Sequence, residues 1–212
     1  MRITVNRHSY RFPAAAIVAA SLLLAGCASS KGTPNTIYDF GSPSVRQSTP
    51  TAAPAAPLAI AVMDATGPAA LDNERMFYRL DYADEKQART YAGSRWSGTP
   101  LDLVTARIKA RLAQSHMKVL SATDAANGVP ILRIEIDDFV HAFSSAGESR
   151  GQVMLRASVF TDHRLVDQRS FMGRTPAPSQ DAAGGVAALA ASTDQVADEI
   201  HAWLLSLNPP GK

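Results

Sequence analysis

The sequence predicts an α/β fold, a mixed, largely antiparallel sheet with two main helices packed on one face. Between positions 58 and 171, short segments alternate apolar and polar residues or are wholly apolar, as strands with one or two buried faces do. Two longer segments, which begin near Thr99 and Gly185, repeat apolar residues every three or four positions, the spacing of a helix with one buried stripe. We expect these elements to form a single domain, residues 58–208.

The predicted strands are separated by turn residues. Segment 58–63 is continuously apolar, and segment 76–82 is aromatic and alternating; both patterns favour strands. A further short strand is predicted at 117–120. Three alternating segments then form an antiparallel meander whose last turn is Asp162-His163: 131–137, 152–161 and 165–171.

Each predicted helix has a recognisable start or end. Thr99 can cap the first helix, Pro100 occupies its first position, and Asp102 completes a capping box. The second helix ends at Asn208-Pro209-Pro210, and after a meander we expect it to cover the sheet rather than to form a coiled coil. The positions expected to be buried are Leu101, Val104, Ile108 and Leu112 in the first helix and Val186, Leu189, Thr193, Val196, Ile200, Trp203 and Leu207 in the second. On the first helix, Arg107, Lys109 and Arg111 are expected to face water.

The charge distribution argues against a nucleic-acid-binding protein. The 212 residues include 21 Lys and Arg and 19 Asp and Glu, but three of the basic residues precede position 27. Without the first 26 residues, 18 basic residues face 19 acidic ones, so no basic surface is expected. The single cysteine excludes an internal disulfide, and no Cys/His cluster supports a metal site. We therefore expect a core held by burial alone, with no metal and no cofactor.

Residues 1–26 have the organisation of an export signal. Arg2, Arg7, His8 and Arg11 form a positively charged start, and the uncharged segment 14–26 follows. Its 13 residues fall short of the roughly 20 that a membrane-spanning helix needs. The segment therefore predicts a secretory signal peptide rather than a permanent membrane span.

The end of this segment, Leu24-Ala25-Gly26-Cys27, resembles the bacterial lipobox. The resemblance implies that a signal peptidase recognises Leu24, Ala25 and Gly26 and cuts before Cys27, which then carries thioether-linked diacylglycerol and an N-acyl chain. Three acyl chains would hold the protein on a membrane. The alternative is an unmodified cysteine after a simple signal peptide, which could pair between chains.

Residues 27–57 predict a lipidated N-terminus and a tether rich in Pro, Ser, Thr and Ala. A flexible chain of about 30 residues spans on the order of 30 Å on average and at most about 100 Å. The apolar and aromatic residues within 36–41 interrupt this composition. They favour a short edge strand that docks on the domain, although an apolar segment of linker would look the same.

Several short motifs follow the lipobox in a defined order: Ile37-Tyr38-Asp39-Phe40, Leu71-Asp72 before Met76-Phe77-Tyr78-Arg79-Leu80, Tyr91-Ala92-Gly93-Ser94-Arg95-Trp96 before Pro100, Gln152-Val153-Met154-Leu155, Phe171 and Trp203-Leu204. In this order the chain resembles the ABC-type transport auxiliary lipoprotein family. The most specific of these motifs is the run from Tyr91 to Trp96. The resemblance covers the lipobox and nearly all of the mature chain.

The resemblance implies a non-catalytic accessory subunit on the periplasmic side of the outer membrane. Its partners would be an inner-membrane ABC permease and ATPase and a mammalian-cell-entry (MCE) domain protein, which together move lipids between the membranes. Ala28, rather than Asp, follows Cys27, and by resemblance to enterobacterial sorting this favours the outer membrane over the inner one. The sequence has no GxxxxGK[ST] motif for ATP binding. The oligomeric state is a separate question, and a homo-oligomer built through sheet edges is one possibility.

Two other functions stay open on the sequence alone. One is a structural or assembly lipoprotein of another envelope complex, and the other is a periplasmic hydrolase. Against a hydrolase, Asp137 and Asp138 would point to opposite faces of a strand, and no serine lies in a G-x-S-x-G motif. The histidines lack the spacing of metal ligands, and we expect solvent-exposed or capping roles for His116, His141, His163 and His201.

The candidate partner-binding residues are Tyr91, Arg95 and Trp96, because a guanidinium and an indole near a helix start could stack on a partner. The structural alternative is that Trp96 fills the junction between sheet and helix while Arg95 pairs with a nearby carboxylate. A second candidate surface is the other face of the sheet. It would be a docking patch for lipid or protein, or a satellite core, formed by Phe139, Phe143, Met154 and Phe160.

Overall fold

The computed structural model describes residues 35–43, 58–124 and 128–207. Within them it contains eight strands and three helices: β1 (Thr36–Tyr38), β2 (Ala59–Val62), β3 (Arg75–Leu80), α1 (Asp81–Asp84), β4 (Ala88–Trp96), α2 (Pro100–Gln114), β5 (Lys118–Ser121), β6 (Ile131–Phe143), β7 (Ser149–Thr161), β8 (Arg164–Pro176) and α3 (Ala182–Leu207). The predicted α/β class is confirmed. Among the elements, β4 was not predicted, and the chain leaves the sheet after Leu80 to form α1.

Strand β6 is the centre of the sheet. One of its edges pairs along its whole length with β7, which pairs in turn with β8, and both ladders are antiparallel. The other edge pairs in parallel with β2 near Leu132 and with β3 near His141. Strand β4 adds to β3 in the antiparallel sense, while β1 and β5 are short parallel edge strands. The long ladders are therefore antiparallel and the short ones mostly parallel.

A β-bulge in β6 corrects the expectation for two aromatic residues. The β6–β7 register shifts between Ile136 and Asp138, and one additional residue in a strand moves every later side chain to the other face. Phe139 consequently lies opposite Val153, on the face that the helices cover, and Phe143 follows on the same face. Their exposed fractions are 4% and 7%, so neither contributes to a patch on the second face.

The two long helices pack as their sequence patterns predict. The Oγ1 of Thr99 accepts a hydrogen bond from the Asp102 backbone N–H at 3.1 Å, which confirms the cap of α2. Val104, Ile108 and Leu112 of this helix are buried. On α3, the buried side chains include Leu189, Val196, Ile200 and Trp203. Both stripes join one hydrophobic core with the inward-facing residues of β6 and β7.

The flank of α2 that was expected in water is instead buried against α3. Arg107 and Arg111 are only 8% and 6% exposed. Arg107 forms a two-pronged ion pair with Asp194, with N–O distances of 2.6 and 2.7 Å, and Arg111 contacts Asp198 at 3.0 Å. The expectation was wrong because α2 and α3 lie side by side, and a guanidinium buried there is stable only when a carboxylate accompanies it.

Helix α3 approaches the sheet closely at glycine positions. A Cβ atom added to Gly151 of β7 would collide with the backbone of Ala188 and Leu189, and one added to Gly173 of β8 would collide with the backbone of Ser192. The Ser192 hydroxyl donates a hydrogen bond to the Gly151 carbonyl at 2.9 Å. Glycine is therefore needed at these strand positions for the helix to reach its observed depth.

Residues 35–43, the first segment that the structure describes, are fixed to the rest of the domain. Strand β1 pairs with residues 94–96 of β4, and the Ser97 N–H donates to the Tyr38 carbonyl at 2.8 Å. The Phe40 ring packs edge-on against Trp96 with centroids 5.5 Å apart. Arg107, already paired with Asp194, also donates to the Gly41 carbonyl at 3.1 Å. The N-terminal segment thus belongs to the sheet edge and to the interface of α2 with α3.

Candidate functional site on strand β4

Strand β4 carries a large bulge beside the N-terminal segment. Opposite the single residue Met76 of β3, β4 has four residues, 91–94. Such bulges bend a strand and often occur next to functional sites. Here the bulge borders an open groove of about 630 Å³, which we call the β4 groove, lined among others by Asn35, Glu74, Arg75, Thr90, Ser94 and Arg95.

Two arginines face each other in the β4 groove. Arg75 of β3 and Arg95 of β4 are direct partners in the ladder, so both guanidinium groups lie on the second face of the sheet. The ion pair of Arg95 with Glu74 is long, 3.8 Å, and the two side chains are 45% and 52% exposed. Exposed ion pairs of this kind contribute little to stability. The groove therefore presents polar and positively charged groups to solvent.

Trp96 lies on the opposite face of β4 from Arg95. It is 1% exposed, and its ring packs between Phe40 and Phe139, with centroid distances of 5.5 and 5.7 Å. This is the geometry of the structural alternative, in which the indole fills the junction between sheet and helix. The structure thus separates Trp96 from Arg95, and partner binding by these residues stays a prediction.

Tyr91 points from the bulge to the covered face and contacts a buried histidine. Its hydroxyl lies 2.8 Å from Nδ1 of His141. His141 is 1% exposed, and a Cβ atom on Gly185 of α3 would lie 2.5 Å from the same nitrogen. Within the described part of the chain, Nε2 of His141 is buried without a hydrogen-bond partner. The pair links β4, β6 and the first turn of α3.

Burial fixes the protonation of this pair. It lowers the pKa of His141 to about 4, against the smaller opposing effect of the Asp181 carboxylate. Burial, and to a smaller extent Tyr78 and Asp181, raises the pKa of Tyr91 above its ordinary value. Both side chains are therefore neutral near pH 7, and one hydrogen bond joins the tyrosine oxygen to Nδ1 of the imidazole.

The expectation of a solvent or capping role was therefore wrong for His141. The β6 bulge turns this residue toward the helices, and the spacing of histidines in the sequence carries no signal for such a position. The adjacent glycines Gly184 and Gly185 are the available hint, because glycine near a helix start often permits a close approach.

The described residues contain no cluster of metal-ligating side chains. Among positions 35–43, 58–124 and 128–207, no group of three His, Cys, Asp or Glu side chains could hold a metal ion. Asp138 is engaged by Arg79 at 3.1 Å and by the Gln152 side chain at 2.8 Å, so it is part of a polar network on the second face. The predicted lipidation and recognition residues, Leu24 to Cys27, lie outside the described residues.

Comparison with family models identifies the family to which the chain belongs. The model of the ABC-type transport auxiliary lipoprotein component matches residues 38–201. This chain belongs to that family. The match begins at the last residue of β1 and ends within α3, so strands β2 to β8, helix α2 and most of α3 lie within the family region of this auxiliary lipoprotein.

Solved structures show the same fold. Protein XCC0632 from Xanthomonas campestris superposes with a TM-score of 0.67 at 22% identity, covering 81% of this chain and 96% of that one. The hypothetical protein CT253 from Chlamydia trachomatis gives a TM-score of 0.50 at 12% identity, over 74% of this chain and 100% of that one. No curated protein matches the sequence. In the described part of this auxiliary lipoprotein, no helix is both long and apolar enough to cross a bilayer.

Proposed function

We propose that this auxiliary lipoprotein is a non-catalytic accessory subunit of an ABC-type, MCE-linked lipid transport system, anchored in the outer membrane and facing the periplasm. The observation that carries the proposal is the order of two features. The lipobox-like segment 24–27 stands shortly before the family domain, which begins at residue 38. The family description supports a lipoprotein of an ABC transport system, and the outer membrane and the MCE partner follow from the resemblance of the sequence.

The anchor is assigned to Cys27, with Leu24, Ala25 and Gly26 as the signal-peptidase recognition residues. Buried acyl chains contribute roughly 0.8 kcal/mol per methylene, so three chains make attachment effectively permanent. We expect the N-terminal peptide of the mature protein to begin at Cys27 with the mass of diacylglycerol and one acyl chain. On a density gradient, the protein should sediment with the outer membrane. An unmodified thiol at this position would contradict the proposal.

The accessory role fits an edge strand that is open to partners. Among the described strands, β8 pairs only with β7, so its other edge offers unpaired backbone groups along 13 residues. Leu165 and Val166 at its start are exposed. Bare edges of this length favour pairing with another chain. We propose this edge as the surface for the MCE-domain protein, for the ABC permease and ATPase complex or for a second copy of the chain.

Deletion of the gene tests the transport role. We expect increased permeability of the outer membrane, restored by the full chain but not by the Cys27→Ser variant at equal expression. Complete restoration by Cys27→Ser would overturn the proposed need for the anchor. A defect confined to insertion of lipopolysaccharide or outer-membrane proteins would instead favour an assembly lipoprotein of another envelope complex.

A further inference from the structure

The position of β1 limits how far the β4 groove can lie from a membrane. This step rests on the proposed anchor at Cys27. Asn35 lines the groove, and eight peptide bonds separate it from Cys27. A chain of that length spans at most about 30 Å and, when flexible, about 16 Å on average. Because β1 is docked, the longer stretch up to residue 57 cannot extend the tether.

The charges in the β4 groove favour an anionic ligand. Arg75 and Arg95 are direct neighbours across the ladder, and like charges in this position repel each other. Glu74 is the acidic residue lining the groove, and its contact with Arg95 is long. The guanidinium of Arg75 has no ion pair within the described residues. An anion between the two arginines would replace their repulsion with two attractions.

The polar lining of the groove is suited to a phosphate ester. Arginine binds phosphate through two parallel N–H donors, and Thr90 and Ser94, two residues that carry hydroxyl groups, also line the groove. Its volume of about 630 Å³ accommodates a phosphate with its organic substituents, and its open side admits a group that stays attached to a surface.

We propose that the β4 groove binds the phosphate of a phospholipid headgroup in the membrane that carries the anchor. The tether holds the groove beside that surface, where the headgroup is at high local concentration, so a weak site is sufficient. Bound in this way, the second face of β3 and β4 is turned toward the bilayer, and the β8 edge at the far side of the sheet stays free for partners.

Binding to vesicles by a chain without acyl groups tests the proposal. The mature chain with Cys27→Ser, exported by a cleavable non-lipoprotein signal, is mixed with vesicles of phosphatidylcholine with or without phosphatidylglycerol. We expect binding to the anionic vesicles and a loss of about fivefold for Arg75→Gln or Arg95→Gln, and of about 25-fold for both. The Glu74→Gln variant should bind more tightly, which a purely structural role of these residues would not produce.

Arg164→Gln is the matched control, because Arg164 is an exposed arginine at the start of β8, away from the groove. It should retain its binding, and the unfolding temperature of every variant should stay close to that of the parent chain. Equal losses for Arg164→Gln and Arg75→Gln would overturn the groove in favour of a diffuse charge effect. Full binding by the Arg75→Lys, Arg95→Lys double variant would do the same, since lysine keeps the charge but not the two-pronged geometry.

Competition distinguishes the possible sources of phosphate. Soluble short-chain phosphatidylglycerol should displace the protein from vesicles, and inorganic phosphate should do so only at much higher concentration. Binding to inorganic phosphate alone, or to an acidic peptide but not to vesicles, would overturn the lipid assignment. Because the chain in this assay has no acyl groups, its outcome is independent of whether Cys27 is lipidated in the cell.

Discussion

The two faces of the sheet are built from alternate residues of the same strands, yet one face is packed against helices and the other carries mainly polar, solvent-exposed contacts. The covered face is closed by α2 and α3, with glycines at the closest approaches and paired arginines between the helices. The second face carries exposed or partly exposed ion pairs, such as Arg156 with Glu135 and Arg79 with Asp138, and the β4 groove. The difference indicates that the contacts that stabilise the fold are concentrated on one face, while the other face is largely open to solvent.

The largest effect expected from this comparison is at two adjacent residues of β4. Trp96→Ala removes a buried indole and should lower the free energy of unfolding by about 3–5 kcal/mol. Arg95→Gln, on the second face, should change it by less than about 0.5 kcal/mol. Chemical denaturation of both variants measures the difference. Similar values for the two would contradict the division between the faces.

The ion pairs between α2 and α3 should have the second-largest effect on the free energy of unfolding. Asp194→Ala removes a carboxylate that pairs with both Arg107 and Arg111 in a buried interface. We expect the free energy of unfolding to fall by about 3 kcal/mol. Glu199→Ala, on the exposed side of the same helix, is the control and should stay within about 0.5 kcal/mol. A loss for Asp194→Ala no larger than for the control would show that these pairs are dispensable.

The glycine contacts should have a slightly smaller effect. Gly151→Ala forces a methyl group against the backbone of α3 and should cost about 2–3 kcal/mol. Gly93→Ala, in the β4 bulge where nothing lies within 4 Å of the new Cβ atom, should be neutral or stabilise by a few tenths of a kcal/mol. Thermal unfolding of the two variants compares them directly. An unaffected Gly151→Ala would mean that the helix can shift without cost.

The pH dependence at His141 is the smallest of the four effects. The unfolded chain takes up a proton at this residue near pH 6.5, whereas burial holds the pKa in the folded state at about 4. Stability is therefore lost as the pH falls from about 6.5 toward 4, by about 2 kcal/mol at pH 5 relative to pH 7.5. His141→Gln should lose correspondingly less over the same range. The exposed His163→Gln variant should follow the parent chain, and equal losses in all three would contradict the buried, neutral imidazole.

The regular part of the fold was predictable because its signals are local. The cap at Thr99, the stripes of both helices and most strands follow from spacing and turn residues. Strand β4 was missed because its bulge places Tyr91 and Trp96 on the same face although they are five positions apart, which breaks the period of two. The bulge in β6 had the same effect on Phe139.

The ion pairs between the helices and the candidate site on β4 were less predictable, because their contacts join distant parts of the chain. Arg107 and Arg111 are four residues apart on α2, and Asp194 and Asp198 are four apart on α3; this matching spacing was the available sign of their pairing. The sequence analysis selected Tyr91 and Arg95 only as candidate partner-binding residues, and their neighbours in the fold, His141 and Arg75, come from separate strands. Strand pairing, rather than any local pattern, brings them together.

Affinity purification from cells tests the central proposal most directly. The full, lipidated chain is crosslinked in the intact envelope and purified, and the proteins recovered with it are quantified against the Cys27→Ser variant. We expect an MCE-domain protein and an ABC permease and ATPase to be enriched with the lipidated chain and depleted with the variant. Enrichment of another envelope complex instead, with no MCE-domain protein, would contradict it.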